Sequence, residues 1–168
     1  MERSAGITLV ELLTVIAIIA VLAGLAIPAL DGLLLNARRA AAMDGLVRGA
    51  WFARTEALRR GRPVVLCAAA GGDRCLGDPG AWTAGWVITP ADDPAEVLRR
   101  GAGTADPRAQ LLSNRGAFSF EPHDRRSTNG TLAWCDARGA QAARALIIAP
   151  TGRPRLERGA GSLPCPGP

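Results

Sequence analysis

Apolar residues form a nearly unbroken run near the start of the chain. The run extends from Ile7 to Leu30, and Glu11 is its one charged residue. About 20 apolar residues are enough for a helix to cross a bilayer. We therefore predict that residues 7–30 form a transmembrane or filament-core helix, preceded by a short polar leader at residues 1–6.

The apolar pattern then becomes periodic. Positions spaced i, i+3, i+4 and i+7 predict that the helix continues over residues 31–62 with one apolar face. That face consists of Met43, Leu46, Val47, Ala50, Ala53 and Ala57. Gly61 and Pro63 follow the last periodic turn, so the helix is expected to end near Arg60.

Short apolar runs broken by glycine, proline and aspartate make up residues 63–168. Such runs indicate strands separated by turns. The predicted strands cover residues 64–69, 85–89, 117–121, 131–135 and 143–149, with two shorter candidates at 97–99 and 110–112. The predicted fold class is α+β, with a long N-terminal helix packed on an antiparallel β-sheet domain.

Glu11 is the residue of the apolar run that most needs an explanation. A carboxylate inside a membrane costs roughly 2.5–3.5 kcal/mol on insertion scales. If the chain is cut after Gly6, Ile7 carries a new amine at a similar depth, and Glu11 of one subunit can pair with the amine of the next. An ordinary signal peptide would be cut after the run, at an A-x-A-like site, but the run contains none. A plain anchor would fit the length, but neither alternative explains Glu11.

Charge is unevenly distributed along the chain. All twenty basic residues are arginine and the formal net charge is +5. From Asn36 onward arginines outnumber acids by seven. This balance favours an anionic partner or surface, and a solvated basic face is the alternative interpretation.

Four cysteines, Cys67, Cys75, Cys135 and Cys165, all follow the apolar run. An even number in an exported domain indicates disulfides. Zinc is the competing interpretation, but the chain has no C-x2-C pair and His123 is its one histidine. The residues themselves leave all three disulfide pairings open.

A strand that ends in an arginine-rich turn is the candidate binding motif. The apolar residues 145–150 are followed by Thr151-Gly152-Arg153-Pro154-Arg155. Gly152 permits a tight turn, and Pro154 keeps the segment out of a central strand. In an extended segment Arg153 and Arg155 project to the same side, about 6.6 Å apart, and could contact neighbouring phosphates. Arg158 and Arg144 would extend this basic surface.

Catalytic chemistry finds little support in the sequence. The one histidine has no evident acid partner, the cysteines are expected to be oxidised, and no glycine-rich phosphate loop occurs. We therefore predict that the protein is not an enzyme and uses no cofactor or metal.

Several segments resemble one protein family. Gly6-Ile7-Thr8-Leu9-Val10-Glu11-Leu12 resembles the class III signal of type IV pilins and type II secretion pseudopilins, with isoleucine where phenylalanine is usual. Three further segments are similar to the GspH/FimT pseudopilins, and the chain is most like FimT. They are residues 53–67, residues 82–86 and residues 132–136.

The resemblance implies a processing route and a set of partners. A prepilin peptidase would cut after Gly6, and Ile7 would be N-methylated. The protein would be a single-pass inner-membrane protein with a periplasmic C-terminal domain. It would then join other pilins, through its N-terminal helix, in a pilus or pseudopilus. The family pattern also implies the disulfides Cys67–Cys75 and Cys135–Cys165.

The same resemblance implies one function and leaves two alternative functions open. Gly152-Arg153-Pro154-Arg155 matches the G-R-x-R motif linked to DNA binding in FimT-type minor pilins of natural transformation. The first expectation is therefore a minor pilin that binds extracellular DNA for uptake, without reading its sequence. The alternatives are a GspH-like minor pseudopilin of a type II secretion system and a minor pilin that primes pilus assembly without DNA binding.

Overall fold

The molecule consists of two units, residues 1–37 and residues 38–168. The computed structural model describes residues 8–70, 74–104, 106–123 and 126–166, without the side chains of residues 27–29. The predicted cleavage after Gly6 and the predicted methylation of Ile7 lie outside the described residues.

Helix α1, Leu9–Arg60, begins in the first unit. Within the described residues it is the one helix long and apolar enough to cross a membrane, with a mean hydropathy of 2.7 in its most apolar stretch. Its first turn carries a capping box: the Glu11 N–H donates to Thr8 Oγ1 at 3.3 Å, and the Thr8 N–H donates to Glu11 Oε2 at 3.1 Å. Two backbone donors at the helix start are thereby satisfied.

Within the described residues of the second unit, eight strands follow α1. They are β1 Val64–Ala68, β2 Gly85–Pro90, β3 Arg99–Ala102, β4 Ala109–Ser113, β5 Ala117–Phe120, β6 Gly130–Asp136, β7 Arg144–Ile148 and β8 Pro154–Arg158. They form two four-stranded sheets, one ordered β3-β2-β1-β5 and the other β4-β6-β7-β8. Every pairing in both sheets is antiparallel. The predicted α+β fold class, a long N-terminal helix with antiparallel sheets, is therefore confirmed.

One face of each sheet and the second half of α1 enclose the main core. The helix contributes the predicted face, which is rich in alanine and lets the sheets approach closely. Its buried members are Met43, Leu46, Ala50, Ala53 and Ala57. Trp82 and Trp134 are buried in the same cluster.

Trp86 occupies a slot between the helix and β3. A Cβ placed on Gly101 would lie 2.1 Å from its ring, and one placed on Gly49 would lie 2.9 Å from it. Real Cβ atoms do not approach so closely, so both positions must be glycine for the ring to fit. This contact gives Gly49, a poor helix former, a packing role.

Two disulfides staple the domain. Cys67 is bonded to Cys75, and Cys135 is bonded to Cys165. These are the pairings that the family resemblance implies. The second bond holds the C-terminal tail on the outer face of the β6–β7 sheet, where Ala160 and Leu163 pack beside Cys135.

Two strands depart from the sequence expectation. The candidate at residues 97–99 becomes β3 at Arg99–Ala102, where Gly101 pairs with Trp86. Strand β8 was not among the predicted strands, since Pro154 interrupts the pattern. Pro154 is its first residue, and β8 lies at the edge of its sheet, where a missing backbone donor is tolerated.

Candidate nucleic-acid interface

The arginine motif lies in the hairpin that joins β7 to β8. The Gly152 N–H donates to the Ala149 carbonyl at 2.8 Å, and the Ala149 N–H donates to the Arg153 carbonyl at 3.1 Å. Gly152 has a φ of 72°, in the left-handed region that favours glycine. This bond pattern is that of a three-residue hairpin loop with glycine at its last position.

A neighbouring segment fixes the loop in place. The Ser127 N–H donates to the Pro150 carbonyl at 2.9 Å, and the Glu121 N–H donates to Ser127 Oγ at 3.1 Å. A Cβ placed on Gly152 would lie 2.8 Å from Ser127 Oγ. The loop that presents Arg153 is therefore fixed by its own two backbone hydrogen bonds and by its contacts with Ser127.

Substituting Gly152 tests how strictly this loop is built. We expect Gly152→Ala to lower the free energy of unfolding by about 2–3 kcal/mol, through the left-handed backbone and the Ser127 contact together. Gly159 is the matched control, because its φ is 83° and a Cβ there would meet nothing within 4 Å. Gly159→Ala should cost only the left-handed backbone strain, about 1–2 kcal/mol. Chemical denaturation followed by tryptophan fluorescence measures both, and equal losses would show that Ser127 does not constrain the loop.

Arg153 and Arg155 are both exposed, and the buried Pro154 separates them. Arg155 pairs in register with Ile147, which packs on the outer cluster beneath the C-terminal tail. Within the described residues Arg153 has no ion pair, whereas Arg155 Nε donates to Glu157 Oε1 at 2.8 Å. That pair is exposed, with 63% and 42% of its side chains accessible, so its strength is small.

Arg144 and Arg158 lie elsewhere. They are direct partners across β7 and β8. Neighbouring residues alternate between the faces of a sheet, so both share the face of Leu146, which packs in the main core. The structure thus places Arg155 on one face of the sheet, with Arg153 in the loop two residues before it, and Arg144 and Arg158 on the other face.

Two residues near the motif were not among the sequence candidates. Glu157 lies two positions after Arg155 in an extended strand. This spacing alone predicts that the Glu157 carboxylate can pair with the Arg155 guanidinium and so compete with a phosphate for it. Arg126 is exposed and directly precedes Ser127, the residue that bonds to the loop. Its proximity depends on the tertiary fold and has no local sequence signal.

Metal-ligating side chains do not converge in the part of the chain that the structure describes. No group of three or more histidine, cysteine, aspartate or glutamate residues there could hold a metal ion. The buried Asp136 is instead bound by Arg138, whose hydrogen bonds lower the pKa of that carboxyl to about 2. At the hairpin, the exposed guanidinium groups of Arg153 and Arg155 are able to bind an anion.

Two family models match the chain. One is described as type II transport protein GspH and matches residues 42–152. The other is the prokaryotic N-terminal methylation motif and matches residues 1–27. The first match ends at Gly152, so Arg153 and Arg155 lie just beyond it. No curated protein matches the chain.

Solved structures with a similar fold include two crystal forms of the type IV minor pilin FimU from Pseudomonas aeruginosa, strain PAO1. The form in space group P21 has a TM-score of 0.56 and 24% identity, over 71% of this chain and 87% of that one. The form in P65 has a TM-score of 0.54 and 24% identity, over 70% and 90%. This likeness shows a shared fold. The GspH model matches more than half of the chain, which leads to one conclusion: the chain belongs to the GspH family.

Proposed function

We propose that this chain is a minor pilin of a type IV pilus that binds extracellular DNA for uptake in natural transformation. The observation that carries the proposal is the exposed pair Arg153 and Arg155 on a hairpin loop fixed by Ser127. Guanidinium groups bind phosphate in a bidentate manner, and preorganised donors lose little freedom on binding. Arg126 adds a third cation beside the loop.

Location supports the proposal in a coarser way. The methylation motif and the apolar part of α1 fit a pilin anchored in the inner membrane. Disulfides persist in oxidising compartments such as the bacterial periplasm, so Cys67–Cys75 and Cys135–Cys165 favour a periplasmic domain. Cleavage after Gly6 by a prepilin peptidase, on the other side of the membrane, would expose the amine of Ile7 for methylation before the chain enters a filament.

Phosphate contacts without base contacts predict weak sequence preference and strong salt dependence. Each neutralised phosphate adds about 0.9 to the slope of log affinity against log salt for duplex DNA. We therefore expect Arg153→Ala with Arg155→Ala to reduce that slope by about 1.8. Glu157→Gln should instead raise affinity about two- to fivefold, because it releases Arg155 from an exposed ion pair.

The measurement is a fluorescence-anisotropy titration of duplex DNA with the detergent-solubilised full chain, repeated over a series of salt concentrations. Arg99→Ala with Arg100→Ala is the matched control, since it removes two exposed arginines from β3 in the other sheet. An equal loss in both double variants would mean that binding is spread over the whole basic surface. The hairpin would then have no special role.

A second function is favoured by one specific observation. The GspH family model covers residues 42–152 and stops before both motif arginines. The match to this family therefore does not depend on the two residues that are proposed to bind DNA. The chain would then be a minor pseudopilin of a type II secretion filament. If the chain does not bind DNA, and its deletion blocks secretion of exported proteins while transformation continues, this second function replaces the first.

A further inference from the structure

A second group of arginines lies on the helix-facing side of the β6–β7–β8 sheet. Arg144 and Arg158 are side by side across β7 and β8, and Trp134 is the next residue in the same row. Arg39 reaches this row from α1, and Arg138 follows β6. We call these four residues, Arg39, Arg138, Arg144 and Arg158, the Arg39 cluster.

Backbone carbonyls hold two members of the cluster close together. A guanidinium nitrogen of Arg39 donates to the carbonyl of Ala142. Arg144 Nη1 donates to the adjacent carbonyl, that of Ala143, at 2.8 Å. Both side chains are partly buried. Burial, and then the charges of Arg144 and Arg138, lower the pKa of Arg39, in keeping with crowded cations.

Negative charge in the described residues does not balance the cluster. Asp136 is the nearby acid, and its two oxygens are bound by Arg138 and by the Trp134 indole N–H. The described part of the chain shows no ion pair for Arg39, Arg144 or Arg158. Glu157, the neighbour of Arg158, belongs to the other face with Arg155. Three cations gathered around one occupied acid make a site suited to an added anion.

The position of Arg39 in the chain identifies the source of that anion. Arg39 follows Leu30, the last residue of the predicted membrane segment, by nine positions. Nine helical residues rise about 13.5 Å, whereas the headgroup layer on one side of a bilayer is about 5–8 Å thick. Arginines also extend back toward this layer along their apolar stems.

We propose that the Arg39 cluster binds the phosphate of an anionic phospholipid, in the leaflet next to the globular domain, before the protein enters a filament. Arg39 and Arg144 would hold the phosphate oxygens, and Arg158 would add its charge at the open edge. The proposal rests on the membrane anchoring of α1 and not on DNA binding. A lipid is favoured over DNA because the cluster lies on the face opposite Arg155 and close in sequence to the apolar run.

Native mass spectrometry of the detergent-solubilised full chain tests the assignment. Phosphatidylglycerol and phosphatidylcholine are titrated separately, and the affinity for the first bound lipid is compared. Each arginine near an anionic lipid surface contributes enough to change affinity about fivefold. We expect Arg39→Gln with Arg144→Gln to weaken phosphatidylglycerol binding about thirtyfold, with no change for phosphatidylcholine.

Two further variants keep the test decisive. Arg158→Gln removes an exposed side chain, so it should leave the fold intact and still weaken phosphatidylglycerol about fivefold. Arg153→Gln with Arg155→Gln is the matched control for charge and should leave lipid binding unchanged. Equal loss in the control, or equal affinity for both lipids, overturns the proposal.

Two results would assign the cluster to another anion and equally overturn the lipid proposal. In the first, inorganic phosphate at the lipid's concentration displaces phosphatidylglycerol, which would indicate a free-phosphate site. In the second, Arg39→Gln with Arg144→Gln weakens duplex DNA binding while lipid binding persists. The DNA measurement also separates this proposal from the hairpin function, because each depends on a different pair of arginines.

Discussion

Replacing Glu11 with glutamine is expected to prevent the chain from entering a filament while its helix start stays intact. Glutamine can accept the Thr8 N–H hydrogen bond that completes the capping box, but it cannot pair with the positive N-terminus of a neighbouring subunit. Loss of one partner from a buried ion pair costs about 3–5 kcal/mol. Such a loss would reduce incorporation by two orders of magnitude or more.

Glu11→Ala separates the two roles of the side chain. It removes both the charge and the cap, so it should match Glu11→Gln if pairing between subunits governs assembly. Immunoblots of sheared filaments, compared with the amount of chain in the membrane, measure incorporation. If glutamine supports normal incorporation and alanine does not, the carboxylate acts only as a helix cap and the pairing hypothesis is wrong.

Removing the Cys135–Cys165 bond is expected to be the most destabilising change within the globular domain. The bond joins residues 30 positions apart, against 8 for Cys67–Cys75. In the chain-entropy account, closing these loops stabilises the fold by about 3.7 and about 2.5 kcal/mol respectively. The alanine variant of the first pair should therefore lose about 1 kcal/mol more than that of the second.

Each pair is replaced by two alanines, so that no free thiol remains to react. Chemical denaturation of both double variants gives the two free energies of unfolding. Since the C-terminal tail packs on the outer face of the sheet through Leu163, its release should also be seen as faster amide exchange over residues 159–166. A larger loss for the Cys67–Cys75 pair would show that local packing matters more than loop length.

Periodicity explains why much of the fold could be predicted. The spacing from Met43 to Ala57 identifies the buried helix face, and alternating runs locate most strands within one or two residues. The capping box could also have been predicted, because Thr8 and Glu11 have the required separation of three. The free-energy cost of a carboxylate in a membrane indicates a partner for Glu11 and does not indicate this role in the helix cap.

The rest depends on contacts between distant segments. Arg39 meets Arg144 across more than a hundred residues, so no local pattern could place them together. The arginines lie on two faces because of the register of β7 with β8. Pro154 interrupts the strand pattern, so the sequence does not predict β8 or its register. Arg126 lies next to Ser127, and the bond from Ser127 to Pro150 links two segments that are distant in the sequence.

The slot around Trp86 has a consequence for how related chains can diverge. The Trp86 ring leaves no room for a Cβ at position 49 or position 101. Substitutions at these three positions are therefore expected to depend on one another. A mutation to alanine at either glycine would be harmful alone and tolerated once a smaller residue occupies position 86. Descendants should therefore keep Gly49, Trp86 and Gly101 together or lose them together, so that these positions vary as a set across the family.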